Sequence, residues 1–125
     1  MRRALAALLA AAVAALFPLA ALAAGGAVLQ GLDKVTARIF TFEAPVDRAV
    51  RFGRLEIIAR ACYKKPPEEP PESAAFLEIA ELPPGGERRK LFAGWMFASS
   101  PALSALEHPV YDIWVVDCMN DSSSP

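Results

Sequence analysis

Short segments in which apolar and polar side chains alternate, each bounded by turn residues, constrain this chain more than any other feature of its sequence. In residues 55–62, Leu55 and Ile57 fall on one face of an extended chain, and Ile58 and Cys62 fall on the other. A period of two is typical of half-buried strands. The pattern predicts a central strand that ends at Cys62, with the cysteine side chain on the face of Ile58.

Further strands follow from the same period, and one helix is predicted. Ser99, Ser100 and Pro101 give a helix N-cap with proline at the first helical position, which predicts a short helix over 101–106. Six or seven short strands without alternating helices indicate an all-β fold, a small antiparallel sandwich or barrel with that one helix. The other predicted strands are 35–42, 48–52, 74–82, 87–97 and 110–118.

Residues 64–73 separate two of these strands with a run of prolines and charged residues, KKPPEEPPES. Proline has no N–H to donate to a sheet, so the segment is predicted to be a solvated hairpin loop. A ligand for a proline-recognising groove is the functional alternative. The motif Pro83-Pro84-Gly85-Gly86 predicts a second reversal of the chain.

The first 23 residues have the ordered regions of an export signal. A cationic start, an Ala/Leu run over 4–16, a proline, and small residues at Ala21 and Ala23 follow in the required order. We expect cleavage of this signal peptide, 1–23, and a periplasmic mature protein. An uncleaved N-terminal helix, which would tether the domain to the membrane, is the alternative.

Removal of 1–23 from the 125 residues leaves 102, enough for one β-rich domain over 24–119 and a polar tail, 120–125, that is expected to be disordered. Without Arg2 and Arg3, the chain has 11 basic and 14 acidic residues and a net charge of −3. This balance argues against nucleic acid as a partner. No membrane span is expected after cleavage.

The chain has two cysteines, Cys62 and Cys118. In an exported protein an even count predicts a disulfide between them. The bond would close a long loop and stabilise the domain by about 4 kcal/mol in the chain-entropy treatment. Two buried free thiols are the alternative, and the absence of a C-x-x-C spacing argues against a redox-active pair.

One stretch, residues 91–114, reads LFAGWMFASSPALSALEHPVYDIW and resembles a bacterial family known as domain of unknown function 2155. The resemblance covers about residues 28–119, and it implies a small exported envelope protein. The family brings no catalytic residues to carry over. Supporting segments are 32–38, 53–55 leading to Cys62, 75–79 and the terminal Asp117-Cys118.

A hydrolase is the sharpest catalytic alternative, with Ser104 or Ser100 as nucleophile and His108 as base. No G-x-S-x-G elbow is present, and His108 before Pro109 is interpreted as a turn residue whose ring bonds to the backbone. We therefore assign no catalytic residue.

Metal and cofactor chemistry find no support in the spacing of the residues. One histidine, two cysteines expected to be bonded and scattered carboxylates match no zinc spacing and no calcium loop. Gly85-Gly86 lies in a proline turn, without the following helix that a phosphate site requires. The sequence predicts neither a metal site nor a cofactor.

Aromatic residues late in the chain are the candidate binding residues, because rings could line a groove for a sugar or a peptide. Core packing is the alternative use of such rings. The candidates are Trp95, Tyr111 and Trp114, of which Trp114 is favoured as the exposed ring because it alternates with Ile113 and Val115.

The leading hypothesis is therefore a non-enzymatic periplasmic protein that binds an envelope protein or a cell-wall ligand through the 94–114 region. A small secreted hydrolase is the second hypothesis. A structural accessory subunit of an envelope complex is the third.

Overall fold

The protein folds as two four-stranded antiparallel sheets, in a computed structural model that describes residues 24–101 and 106–120. The predicted all-β architecture is confirmed, and of the two predicted forms it is the sandwich. Its strands in chain order are β1 (Gly26–Asp33), β2 (Arg38–Pro45), β3 (Ala49–Phe52), β4 (Leu55–Lys64), β5 (Ser73–Glu81), β6 (Arg89–Phe97), β7 (Leu106–Glu107) and β8 (Tyr111–Cys118).

The first sheet has the order β2-β1-β8-β7, and the second sheet has the order β3-β4-β5-β6. The second sheet is a meander of consecutive strands, whereas in the first sheet β8 returns from the end of the chain to pair with β1. The proline-rich segment joins β4 to β5 as a hairpin loop, as its composition predicts.

The core lies between the two sheets and is built from the inward face of each strand. Leu29 and Ile113 extend from the first sheet, and Ile57, Leu77 and Met96 extend from the second, each at most 1% exposed. Full burial of such a side chain stabilises the fold by about 1.5–3 kcal/mol. The alternation seen in the sequence therefore supplies the main stabilising contact of the domain.

Cys62 near the end of β4 and Cys118 at the end of β8 form a disulfide, with an S–S distance of 2.07 Å. The predicted bond is confirmed. Because β4 and β8 belong to different sheets, the bond joins the two layers of the sandwich.

The face assigned to Cys62 is wrong, however. Leu55, Ile57 and Ala59 are buried, so the plain period of two places Cys62 outward with Ile58, yet Cys62 is fully buried. A β-bulge inserts Arg60 as an extra residue between Ala59 and Ala61, which shifts the register with β5. One inserted residue moves every following side chain to the other face of the sheet.

The strand predicted over 35–42 begins too early. Residues 34–37 form the turn between β1 and β2, and Val35 is 78% exposed. The Asp33 carboxylate accepts hydrogen bonds from the N–H groups of Val35 and Thr36, at 2.9 and 3.3 Å. The carboxylate thus accepts hydrogen bonds from N–H groups that a strand would pair with a neighbouring carbonyl. Asp side chains stabilise turns in this way.

The predicted helix over 101–106 does not reach its last residue, because Leu106 begins strand β7. Residues 102–105 of that helix lie outside the described residues, as do the predicted signal peptide, 1–23, and positions 121–125 of the predicted tail. Across 24–101 and 106–120, no helix is long and apolar enough to cross a membrane.

Candidate functional site

The second sheet carries a cluster of aromatic side chains on its outer face, here called the β6 aromatic surface. It consists of Tyr63 on β4, Phe76 on β5, and Trp95 and Phe97 on β6. The Trp95 ring lies 6.0 Å from that of Tyr63 and 5.6 Å from that of Phe76, measured between centroids. Tyr63 and Trp95 are each 41% exposed and Phe97 is 43% exposed.

Strand alternation and the bulge at Arg60 together build this surface. On β6, Met96 points into the core, so Trp95 and Phe97 on either side of it must point outward. On β4, the bulge that turns Cys62 inward also turns Tyr63 outward. Phe76 on β5 lies directly opposite Trp95 on β6, so its ring joins the same cluster.

Glu72 holds the chain just after β6. It accepts hydrogen bonds from the hydroxyl and the backbone N–H of Ser99 and from the N–H of Ser73. The bonds from Ser99 hold the pKa of Glu72 below its ordinary value. This carboxylate therefore fixes the turn that follows Phe97 against the proline-rich loop.

A second region, the Tyr111 cleft, lies where the two sheets meet at the β3–β4 turn. It has a volume of about 320 Å³ and is lined by polar groups that include Asp33, Arg54, Glu81 and His108. A neighbouring groove of about 370 Å³ shares Asp33 and Tyr111 with it. Concave sites with converging polar groups are the usual places for ligands.

His108 is engaged at both ring nitrogens. The Val110 N–H donates to Nδ1 at 3.0 Å, so the proton of the neutral ring is on Nε2 and is donated to Glu81 Oε2 at 2.8 Å. The interpretation of His108 as a turn residue bonded to backbone is confirmed. Within residues 24–101 and 106–120, neither nitrogen is bonded to a serine hydroxyl, whereas the base of a serine hydrolase would be.

Glu81 is the acidic partner in this cleft and is only 7% exposed. It accepts hydrogen bonds from Arg89 and from His108. The bond from Arg89 is the main cause that lowers the pKa of Glu81, and the bond from His108 acts in the same direction against burial. Because its partners are complete, Glu81 ties β5 to β6 and to the β7–β8 turn.

The hydrolase hypothesis gains nothing from this geometry. Ser104 lies outside the described residues, and His108 is committed to Val110 and Glu81. The carboxylates of Asp112 and Asp117 lie 2.9 and 3.0 Å from the ammonium groups of lysines, not beside the imidazole. Among residues 24–101 and 106–120, no three His, Cys, Asp or Glu side chains are grouped as a metal site would require.

The structure separates the three aromatic residues that the sequence grouped. Trp95 lies in the β6 aromatic surface, Tyr111 stacks on His108 in the cleft, and Trp114 lies on the outer face of the first sheet. Trp114 does point outward between buried Ile113 and Val115, but it is half-buried and donates its indole N–H to Gln30 at 3.1 Å. Trp95 is the more exposed indole.

Tyr63 and Phe76 are the members of the surface that sequence reasoning missed. Both lie outside 94–114, on β4 and β5, so only strand pairing brings them beside Trp95. The available signal was the position of Tyr63 directly after a cysteine. A buried Cys62 at the end of a strand requires the next ring to point to the other face.

The chain is thus a disulfide-bonded antiparallel β-sandwich with an exposed aromatic surface on one sheet and a polar cleft in which Glu81 accepts hydrogen bonds from Arg89 and His108. The chain belongs to the family described as uncharacterized protein conserved in bacteria, DUF2155, whose sequence profile matches residues 27–118. The predicted family resemblance is confirmed.

A relative is the uncharacterized protein RP359 of Rickettsia prowazekii (strain Madrid E), which is 31% identical over 87 residues. The match covers 70% of this chain and 56% of the relative, so the chain spans little more than half of that protein's length. No solved structure matches the chain.

Proposed function

We propose that this protein is an exported, non-enzymatic binding module of the cell envelope that holds a partner protein through the β6 aromatic surface. The observation that carries the proposal is the exposure of three neighbouring rings, Tyr63, Trp95 and Phe97, each above 40%. Contiguous apolar patches on soluble proteins mark interaction sites, and Trp and Tyr are enriched among the residues that dominate binding energy.

Two features support export to the periplasm. The cationic and apolar start of the chain has the order of a signal peptide. The Cys62–Cys118 disulfide suits an oxidising compartment, because cytosolic thiols are kept reduced. A full-length mass in the envelope fraction would indicate the membrane-tethered form instead.

The experiment compares the two tryptophans of the chain, which lie on opposite sheets. Tagged wild type, Trp95→Ala and Trp114→Ala are purified from crosslinked cells at equal protein levels. We expect one stoichiometric partner protein with wild type and Trp114→Ala, and its loss with Trp95→Ala.

The opposite pattern, with the partner lost only in Trp114→Ala, would show that the binding surface lies on the first sheet. Recovery with cell-wall sacculi in place of a protein would show a cell-wall ligand. Hydrolytic activity abolished by His108→Gln would promote the enzyme hypothesis.

A further inference from the structure

We infer that the open edge of β6 accepts an extended segment of the partner protein as an added β-strand, apolar beside residues 92–97 and acidic where it passes Lys90. The inference rests on the proposed function and names the partner's chemistry. β6 is an edge strand, because β5 is its single neighbour within the described sheets. Edge strands present a row of unpaired N–H and C=O groups that template another strand.

The direction of these groups follows from the ladder between β5 and β6. The Ala98 N–H donates to the Ser73 carbonyl at 2.9 Å, and the register is regular from there back to Phe92. In an antiparallel pair the backbone groups of successive residues point alternately toward and away from the neighbour. The N–H and C=O groups of Ala93 and Trp95 therefore point away from β5, toward the open edge.

The two halves of β6 differ in how this edge is protected. The first half follows Arg88 and contains Arg89 and Lys90, and a register shift near Leu91 interrupts its pairing with β5. Charges and bulges of this kind disfavour pairing with an uncharged foreign strand. The second half, Phe-Ala-Gly-Trp-Met-Phe over 92–97, has no charge, no proline and no bulge.

The other described edges of the sandwich have shorter uncharged segments. β3 has four residues and includes an arginine, and β7 has two. β2 carries Arg38 and Glu43, and just beyond its end Val46 forms a bridge with Ala59 of the opposite sheet. The unprotected half of β6 is thus the longest uncharged edge, and it carries the exposed rings of Trp95 and Phe97.

Charge complementarity favours a partner segment over a second copy of this chain. Arg88 and Arg89 have acidic partners in Glu56 and Glu81, but Lys90 makes no ion pair within the described part of the chain. Antiparallel self-pairing centred between residues 93 and 96 would place Lys90 opposite residues 96–102, none of which is acidic. A partner strand with Asp or Glu at that end would neutralise Lys90.

Ala93→Pro tests the inference, because proline removes the outward N–H of Ala93 and leaves the β5–β6 ladder intact. A phage-displayed library of random dodecapeptides is selected on the disulfide-bonded protein, and the enriched peptides are synthesised for binding measurements. We expect alternating apolar residues with acidic residues at one end. Their affinity should fall about tenfold in Ala93→Pro and stay within about twofold in the matched control Ala93→Ser.

Three further variants sharpen the test. Lys90→Glu should weaken the same acidic peptides, and Trp114→Ala should leave their affinity unchanged. Should Ala93→Pro fail to fold, Ala93→Asp serves in its place, since a carboxylate at the edge repels an acidic strand without removing an N–H.

The inference is overturned if no peptide is enriched, if the enriched peptides lack the alternation, or if Ala93→Pro binds them as tightly as wild type. It is also overturned if the wild type forms a dimer that Ala93→Pro abolishes, which would assign the edge to a second copy. If cellular partner recovery falls in Trp95→Ala but persists in Ala93→Pro, the proposed function stands and strand addition fails. If the partner is still recovered with both variants, the proposed function and strand addition both fail.

Discussion

Cys62 on β4 and Cys118 on β8 are bonded across the two sheets, with their Cα atoms 5.7 Å apart and 56 positions apart in sequence. Loss of such a long closed loop costs a small exported domain about 2–5 kcal/mol. We expect the Cys62→Ala/Cys118→Ala variant to lose that amount of unfolding free energy in urea titrations. Alkylation of both thiols in the native, unreduced protein would contradict the bond.

Gly53 and Gly85 both have left-handed backbones, with φ of 57° and 68°, but they differ in the space around them. A Cβ on Gly53 would lie 2.3 Å from the Tyr111 hydroxyl, whereas Gly85 has nothing within 4 Å. Gly85→Ala should therefore cost only the backbone term, about 1–2 kcal/mol. Gly53→Ala should cost about 1–3 kcal/mol more, for the displaced ring. Equal losses of unfolding free energy would refute the close packing of Tyr111.

The Glu81–His108 contact is structural in this account. Glu81→Ala removes the acceptor of Arg89 and His108 and should lower the unfolding free energy by about 1–3 kcal/mol. His108→Gln keeps a donor and an acceptor and should complement a deletion strain at wild-type level. Failure of His108→Gln to complement, with normal protein levels, would require a catalytic role for the ring.

The hydrogen bonds from Ser99 that lower the pKa of Glu72 make stability depend on pH. A carboxylate whose pKa is lower folded than unfolded contributes stability above the unfolded value, 4.5, and loses it as pH falls through the folded value. Urea titrations between pH 7 and pH 3 should show wild type losing stability below about pH 5. Glu72→Gln should be less stable at pH 7 and lose less on acidification. Parallel curves would show that Glu72 has no part in this loss.

Sequence patterns predicted the all-β fold, the disulfide and the hairpin loop, and left open whether the fold was a sandwich or a barrel. Alternation marks strands whether or not their partners are known, and two cysteines allow one pairing. The bulge at Arg60 could not be predicted in this way. It is defined by the change of register between β4 and β5, which is a relation between two paired strands and is not contained in the pattern of either one.

The candidate site was predictable only in part for the same reason. Trp95 was identified, but its neighbours Tyr63 and Phe76 reach it through strand pairing. Trp114 points outward, as the alternation predicts, yet its indole N–H donates to the Gln30 side chain on the adjacent strand β1. Exposure depends on what lies across the sheet, and a single strand's pattern does not contain that information.

Photocrosslinking in living cells identifies the partner-binding surface without deleting an aromatic side chain. Benzoylphenylalanine replaces Phe97 in one variant and Trp114 in another, and adducts are compared after irradiation. We expect a discrete protein adduct from position 97 and none from position 114. An adduct from position 114 alone would contradict the claim that the β6 aromatic surface binds the partner.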